Sequence, residues 1–368
     1  MNKKLFFAFY FSCIIIFFSV IFINLLDSDG STKGSVYGEK YTFDNVSAAI
    51  YTSTESLDTP QVSAQSYALI DAKSGAVIFE KNGSAQLPMA STTKIMTAKI
   101  ILDNMPLEKT VTVPKEAAFV EGSSIYLQPE EKITVETLLY GLLLESGNDA
   151  AHALAVSCSG SIEEFAALMN KTAQEIGLTH TSFANPHGLT ADNHYTTATE
   201  LAFITAEAMK NEKFKEIVST KKLLAPSLDG KFTRLFLNHN KLLRLYDGAV
   251  GVKTGYTKAA GRCLVSAAER EGDLFIAVTL NDGNDWNDHK DMLDFAFENF
   301  DTVEIAHKDT FAIYCEGFKY LVADSIYLTV SKGTNPLITY SVNIGKDSGE
   351  VRYFADGIEL GKFMIYPE

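Results

Sequence analysis

Ser91-Thr92-Thr93-Lys94 sets a hydroxyl and an amine three residues apart at the start of a stretch whose apolar residues recur at helical spacing. On a helix the two side chains share a face, so the amine can take the hydroxyl proton and leave an oxygen able to attack a carbonyl carbon. By itself the pattern equally describes an N-cap serine followed by a solvated lysine. Two further groups change its weight: Ser146-Gly147-Asn148 and Lys253-Thr254-Gly255. Alone, the first is an ordinary turn between helices and the second a strand end before a turn. Together and in this order they supply what a serine nucleophile needs, a base, an oxyanion hole and a hold on the substrate. Lys94 is the candidate base, its charge disfavoured by burial and by Lys253. Ser146 can relay a proton to a leaving amine, and Asn148 can hold Lys94 or a substrate amide. Lys253 offers charge to a carboxylate, Thr254 a hydroxyl donor, and Gly255 room for a ligand backbone.

The elements that must position these groups are legible in outline. Tyr67 to Asp71 and Ala76 to Glu80 flank Lys73-Ser74-Gly75, a hairpin signal. After Pro88 the spacing of Ile95, Ala98, Ile101 and Leu102 predicts a helix that carries Lys94. Thr134 is a candidate N-cap for a helix through Leu144, and Ser146-Gly147-Asn148 interrupts helical spacing that resumes at Ala150. Ser161-x-x-Glu164 and Thr197-x-x-Glu200 are capping-box patterns that open two more helices. Beyond Gly230 strands are expected at Phe232 to Leu237, Ala249 to Lys253, Cys263 to Ala268 and Leu274 to Leu280. The last two are joined by Gly272-Asp273 as a hairpin, antiparallel with the strand of Lys253. A helix holding Met292, Leu293, Phe295 and Ala296 then packs on this sheet. The fold class is therefore α/β (α+β), an antiparallel sheet with helices clustered in mid-sequence. From about Asp301, short runs of period two predict a small separate all-β domain over 301–368.

A chain of 368 residues suggests two folded units, and a hydrophobic content of 46% argues against disorder through most of it. The net charge of −14 with no basic face excludes nucleic acid as an expected partner. Cys13, Cys158, Cys263 and Cys315 show no metal-type or redox spacing, and nothing suggests a metal or other cofactor. Lys3-Lys4 precede an apolar run from Leu5 to Leu26, which as a helix would span roughly 33 Å, close to the hydrocarbon thickness. Residues 1–26 are read as a signal anchor, or else a cleaved signal peptide; either exports the chain beyond it and makes the membrane a partner through this segment. Residues 27–61, rich in Ser, Thr, Asp and Gly, are read as a flexible tether, and 62–300 as the domain that holds the site.

These motifs resemble those of the serine-type D-alanyl-D-alanine carboxypeptidases, the low-molecular-mass penicillin-binding proteins. The likeness runs from about Ser66 to Phe300. Beside the three groups above it includes Asn185-Pro186-His187-Gly188-Leu189, His194-Tyr195-Thr196-Thr197, and Lys253-Thr254-Gly255-Tyr256-Thr257 with Ala260-Gly261. The resemblance implies a β-lactamase/transpeptidase-like domain followed by a β-rich one. It implies Ser91 as acyl-enzyme nucleophile, Lys94 as proton acceptor, Ser146 as proton relay and Lys253 as substrate binder. The backbone N–H groups of Ser91 and Tyr256 would form the oxyanion hole. The implied substrate is a peptidoglycan stem peptide ending in D-Ala-D-Ala, outside the cytoplasm at the bacterial cell envelope, with β-lactams as covalent inhibitors of the same serine. Alternatives are a β-lactamase, a DD-endopeptidase, or a wall-binding protein without catalysis. Three positions depart from the family pattern. Gly147 stands where the motif has aspartate; Arg262 stands where many relatives carry an aromatic or uncharged residue; and the chain ends at Tyr366-Pro367-Glu368 where many relatives have an amphipathic membrane helix. His187 and His152 are read as structural, since no G-x-S-x-G elbow accompanies them and a lysine already fills the base role.

Overall fold

The computed structural model describes residues 35–43, 46–52, 57–315, 317–345 and 347–368. The apolar run at 5–26, read above as an anchor or signal, lies outside these residues. Among the described residues no helix is long and apolar enough to cross a membrane.

The chain divides into two compact units. The first comprises 59–72 and 78–298 and is built on a five-stranded sheet. In spatial order its strands are Val77–Lys81, Ser66–Asp71, Asp273–Leu280, Gly261–Arg270 and Ala249–Thr257. The last three pair antiparallel, with Arg270 opposite Asp273 and Val265 opposite Lys253, as the sequence predicts. Asp273–Leu280 is buried on both faces, which explains its nearly continuous apolar run. The helix Asp285–Asn299 covers one face: Phe295 meets Phe79 edge-on with centroids 5.3 Å apart, and Phe297 meets Phe275 at 4.9 Å. Its His289 is fully buried between the hydroxyls of Ser266 and Thr279, and burial pushes the ring down to about 3.

The helical cluster is α1 (Lys94–Asn104), α2 (Val135–Leu144), α3 (Asn148–Ser159), α4 (Ile162–Glu175) and α5 (Ala198–Met209). α5 packs on Ser66–Asp71 and Asp273–Leu280, and α1 packs on α5. Thr134, Ser161 and Thr197 are the predicted N-caps, and each side-chain oxygen accepts the N–H three residues on. The box at Thr197 closes differently from the pattern: the Glu200 carboxylate accepts N–H bonds from Thr179 and His180 at 2.9 and 2.8 Å, tying α5 to the preceding loop. The segment predicted as Phe232 to Leu237 is the strand Thr233–Leu237. It pairs with Lys222–Pro226 as a separate hairpin and does not join the main sheet.

The second unit gathers 299–368, residues 73–77 and the described part of 35–58. It contains a five-stranded sheet, in order Ala312–Cys315, Phe318–Leu321, Ile358–Pro367, Gly349–Ala355 and Ile338–Ile344, and a four-stranded one. The four-stranded sheet corrects the tether expectation. Ser35–Phe43 and Val46–Thr52 are strands, and Val46–Thr52 runs parallel to Ile326–Ser331, with Tyr51 opposite Val330. Tyr51 is buried in this unit's core with Tyr353 and Phe363, and its hydroxyl donates to Asp356 at 2.6 Å. A strand whose partner lies at the far end of the chain carries no local signal beyond a short apolar run. The turn residues 73–77 also fold here, Ser74 and Thr329 sharing a hydroxyl hydrogen bond of 2.6 Å.

Thr197→Ala removes the N-cap oxygen that accepts the Glu200 N–H. It is expected to lower stability by about 1 kcal/mol, seen as an earlier midpoint in urea unfolding.

Candidate active site

The local backbone is arranged before any side chain reaches for another. Ala90 to Thr93 forms a 3-10 turn that runs into α1. The hydroxyls of Thr92 and Thr93 donate back to the carbonyls of Met89 and Ala90 at 2.6 and 2.8 Å, occupying acceptors that a tight turn leaves open. Ala90 takes a positive φ of 49°, a conformation that costs a residue with a Cβ. Gly188 shows what holds it there. Its φ is +94°, and a Cβ on it would lie 1.9 Å from the Ala90 carbonyl oxygen and 2.9 Å from the Ser91 nitrogen. Only glycine allows the 185–189 loop this close to the backbone of Ala90 and Ser91.

Lys94 lies under Ser91 with no exposure to solvent. Its Nζ is 2.9 Å from Ser91 Oγ, 2.7 Å from Asn148 Oδ1 and 2.6 Å from the His187 carbonyl oxygen. Burial, then the charge of Lys253, holds the amine well below the usual lysine range; Asp149 acts in the opposite sense. A neutral amine has two hydrogens and one lone pair. The carbonyl oxygens of Asn148 and His187 can only accept, so they take the two hydrogens, and the lone pair is left for the Ser91 hydroxyl. The Asn148 amide is fixed in this sense because its Nδ2 donates to the Glu121 carbonyl at 2.7 Å. This arrangement can draw the proton from Ser91 without rearrangement.

Ser146 and Gly147 lie between α2 and α3, in the tight turn the sequence predicts, and Ser146 has a φ of 63°. Asp149, in the first turn of α3, carries an organising role that the sequence does not advertise. Its buried carboxylate accepts the N–H groups of Ile125 and Leu127 at 3.1 Å and the Ser124 hydroxyl at 2.7 Å. Asn148 N–H donates to the Ser123 carbonyl at 2.7 Å. The 121–127 loop is thereby fixed to the start of α3, placing Ser123 in the cavity wall. An acidic residue in a first helical turn would ordinarily be assigned to the helix dipole. Gly147 has its own reason: a Cβ there would meet the Asp149 carboxylate at 2.8 Å.

Lys253 is buried in its strand, donating to its neighbour's carbonyl, Thr254 O, at 2.8 Å, and burial pushes its amine down to about 7. A Cβ on Gly255 would approach Ser91 N to 3.0 Å, so this strand lies directly against the Ser91 amide. A cavity of about 490 Å³ opens here, bordered by Ser91, Ser146, Thr254, Gly255, Tyr256 and Arg262 among others. Ser91, Lys94, Ser146, Asn148, Lys253, Thr254, Gly255 and Tyr256 are thus brought to one place, with Lys94, Asn148 and Lys253 buried behind the cavity and the others bordering it. The histidines are supporting residues. His194 Nδ1 accepts the Ala184 N–H at 3.0 Å, so Nε2 carries the proton it shares with Thr93 Oγ1 at 2.8 Å. Burial, with Lys94 second, lowers His194 to about 4 and His187 to about 3. His187 contributes to the site through its carbonyl. Among the described residues no three His, Cys, Asp or Glu side chains are grouped to hold a metal, and the cysteines 158, 263 and 315 are free thiols.

A serine held by a buried lysine at a helix start, facing a lysine strand across a cleft, defines a class of acyl-transferring serine enzymes. Residues 53–284 match the D-alanyl-D-alanine carboxypeptidase family, and the chain belongs to it. It is 39% identical over 248 residues to D-alanyl-D-alanine carboxypeptidase DacF of Bacillus subtilis, covering 65% of this chain and 63% of that one. It is 34% identical over 269 residues to D-alanyl-D-alanine carboxypeptidase DacC of Escherichia coli, covering 69% of this chain and 66% of the relative. The chain therefore spans a little under two thirds of the length of these relatives. Among solved structures, penicillin binding protein 5 from Haemophilus influenzae superposes with a TM-score of 0.72 at 26% identity, covering 85% of this chain and 98% of that one. The Streptomyces K15 DD-transpeptidase superposes with a TM-score of 0.63 at 33% identity, over 66% of this chain and 99% of that one.

Gly188→Ala forces Ala90 and Ser91 to move. It is expected to slow covalent labelling of Ser91 by a fluorescent penicillin by about 100-fold, measured as the rate of adduct formation with time.

Proposed function

We propose that the chain is a serine DD-carboxypeptidase that removes the terminal D-alanine from peptidoglycan stem pentapeptides through an acyl-Ser91 intermediate, and that β-lactams acylate the same serine. The contact of Lys94 Nζ with Ser91 Oγ, the other two amine neighbours being obligate acceptors, carries this reading. Lys94 takes the hydroxyl proton as Oγ attacks the carbonyl carbon of the penultimate residue. The oxyanion is received by the N–H groups of Ser91 and Tyr256. Ser146 gives its hydroxyl proton to the leaving amine and takes up the one Lys94 received, so the C–N bond breaks, D-alanine departs and Lys94 is neutral again. Water, deprotonated by the same lysine, then cleaves the ester and returns Ser91 with its proton. Asn148 holds Lys94 in place, and Thr254 and Gly255 align the peptide along the strand edge. Lys253 serves first by its charge, which keeps Lys94 neutral.

Family membership and the likeness to penicillin binding protein 5 support acylation by β-lactams. The substrate places the enzyme at the bacterial cell envelope, outside the cytoplasm, held by the 1–26 segment or released after its cleavage. The shared architecture with a DD-transpeptidase favours a second use of the acyl-enzyme, its capture by an amine in place of water.

Ser91→Ala is expected to abolish both D-alanine release from a D-Ala-D-Ala peptide and the mass increment left by penicillin. Full activity in that variant would sink the assignment.

The pH dependence comes from the two lysines. Lys94 must be neutral, so acylation rises with pH through its depressed pKa. Lys253 loses its proton as pH passes about 7, withdrawing the charge beside the site. The expected kcat/KM profile rises with pH as Lys94 loses its proton, and Lys253→Met, which removes the charge that depresses Lys94, shifts that rise to higher pH.

A further inference from the structure

Arg262, which departs from the resemblance, occupies a defined place in the site. It lies on the strand Gly261–Arg270 directly opposite Tyr256, the residue after the Gly255 that packs against Ser91. It borders the cavity together with Ser91, Thr254 and Asp285. Its Nε donates to Asp285 Oδ2 at 3.0 Å, and one Nη2 hydrogen goes to Asp285 Oδ1. This uses the side edge of the guanidinium. The terminal edge, with one N–H on each Nη, is a second fork of the shape that takes a carboxylate with two parallel bonds. Burial separates the pair: the Arg262 side chain is 44% exposed and that of Asp285 only 6%. Asp285 also accepts the N–H of Trp286 at 2.8 Å, so the carboxylate is fixed at the start of its helix.

Resting on the carboxypeptidase reading, we propose that Arg262 receives the C-terminal carboxylate of the peptide, and that Asp285 is the positioning residue that aims it. The leaving D-alanine puts that carboxylate within one residue of the carbonyl under attack, about 3.8 Å in Cα spacing, so its partner must border the space beside Ser91. Lys253 is poorly suited to that role, being buried, bonded to the Thr254 carbonyl, and absent from the cavity wall. The other basic side chains on the wall, Lys241 and His239, face partners of their own. Lys241 Nζ stands 5.7 Å from the Trp286 ring centroid, and His239 lies 3.3 Å from the Glu145 carboxylate. Arginine keeps its charge at every working pH, where Lys253 does not.

The test is binding by the full-length Ser91→Ala protein, titrated calorimetrically with three forms of a peptide that ends in D-Ala-D-Ala and carries one side-chain carboxylate: the free acid, its C-terminal carboxamide, and the free acid with the side-chain carboxylate amidated. The free acid is expected to bind about 10- to 100-fold more tightly than the C-terminal amide, and Arg262→Leu to erase that ratio. Arg262→Lys should restore part of it, and thermal unfolding midpoints identify any variant that fails to fold. In the otherwise native enzyme, Asp285→Asn should raise KM with kcat held. An undiminished ratio in Arg262→Leu overturns the proposal. So does a preference that tracks the side-chain carboxylate in place of the C-terminal one. Absence of D-alanine release by the unmodified protein, with the binding ratio intact, would overturn the carboxypeptidase reading and leave the Arg262 assignment standing.

Discussion

An amine with no access to water must either find partners for three hydrogens and a charge or give up a proton, and the neighbours of Lys94 impose the second outcome. Two carbonyl oxygens and a hydroxyl surround its Nζ. The Asn148 carbonyl comes from the start of α3, the His187 carbonyl from a loop that only a glycine admits, and the hydroxyl from a 3-10 turn with a residue at positive φ. Each supporting feature serves to keep these three oxygens where they are. Asp149 fixes the loop whose carbonyls anchor Asn148, and Asn185 Oδ1 accepts the Gly188 N–H at 2.7 Å to shape the 185–189 turn.

The same constraint explains why the site lies at the edge of a sheet. The strand Ala249–Thr257 is the last of the five, so no further strand pairs with its outer side, while its inner side is held by Gly261–Arg270. The helix start opposite brings Ser91 against Gly255. Stability and activity pull in different directions here, since two lysines, a non-glycine at positive φ and a buried carboxylate are all costly by themselves. The sheet and the Asp285–Asn299 helix behind it supply the apolar packing that offsets those costs.

Much of the fold was legible because its signals are local. The caps Thr134, Ser161 and Thr197 satisfy backbone groups three residues away, and the pair of strands around Gly272 is joined by a turn of its own. The strands at 35–52 were not, because their pairing with Ile326–Ser331 depends on a partner at the far end of the chain. The hairpin Lys222–Leu237 shows a related limit: period-two alternation announces a strand and says nothing about which sheet it joins.

The sequence by itself determined the chemistry on offer: a hydroxyl and an amine one helical turn apart, a turn bearing Ser146 and Asn148, and a strand bearing Lys253, each set by short-range spacing. Only the tertiary structure decided the states and directions of those groups. That Lys94 gives both hydrogens to carbonyls, that Asp149 serves a loop as well as its helix, that Gly188 must be glycine, and that Arg262 keeps one fork open while Asp285 holds the other all depend on atoms brought together from distant positions. Hydrogen-bond direction and burial are properties of a surrounded group, and a linear sequence does not display its surroundings.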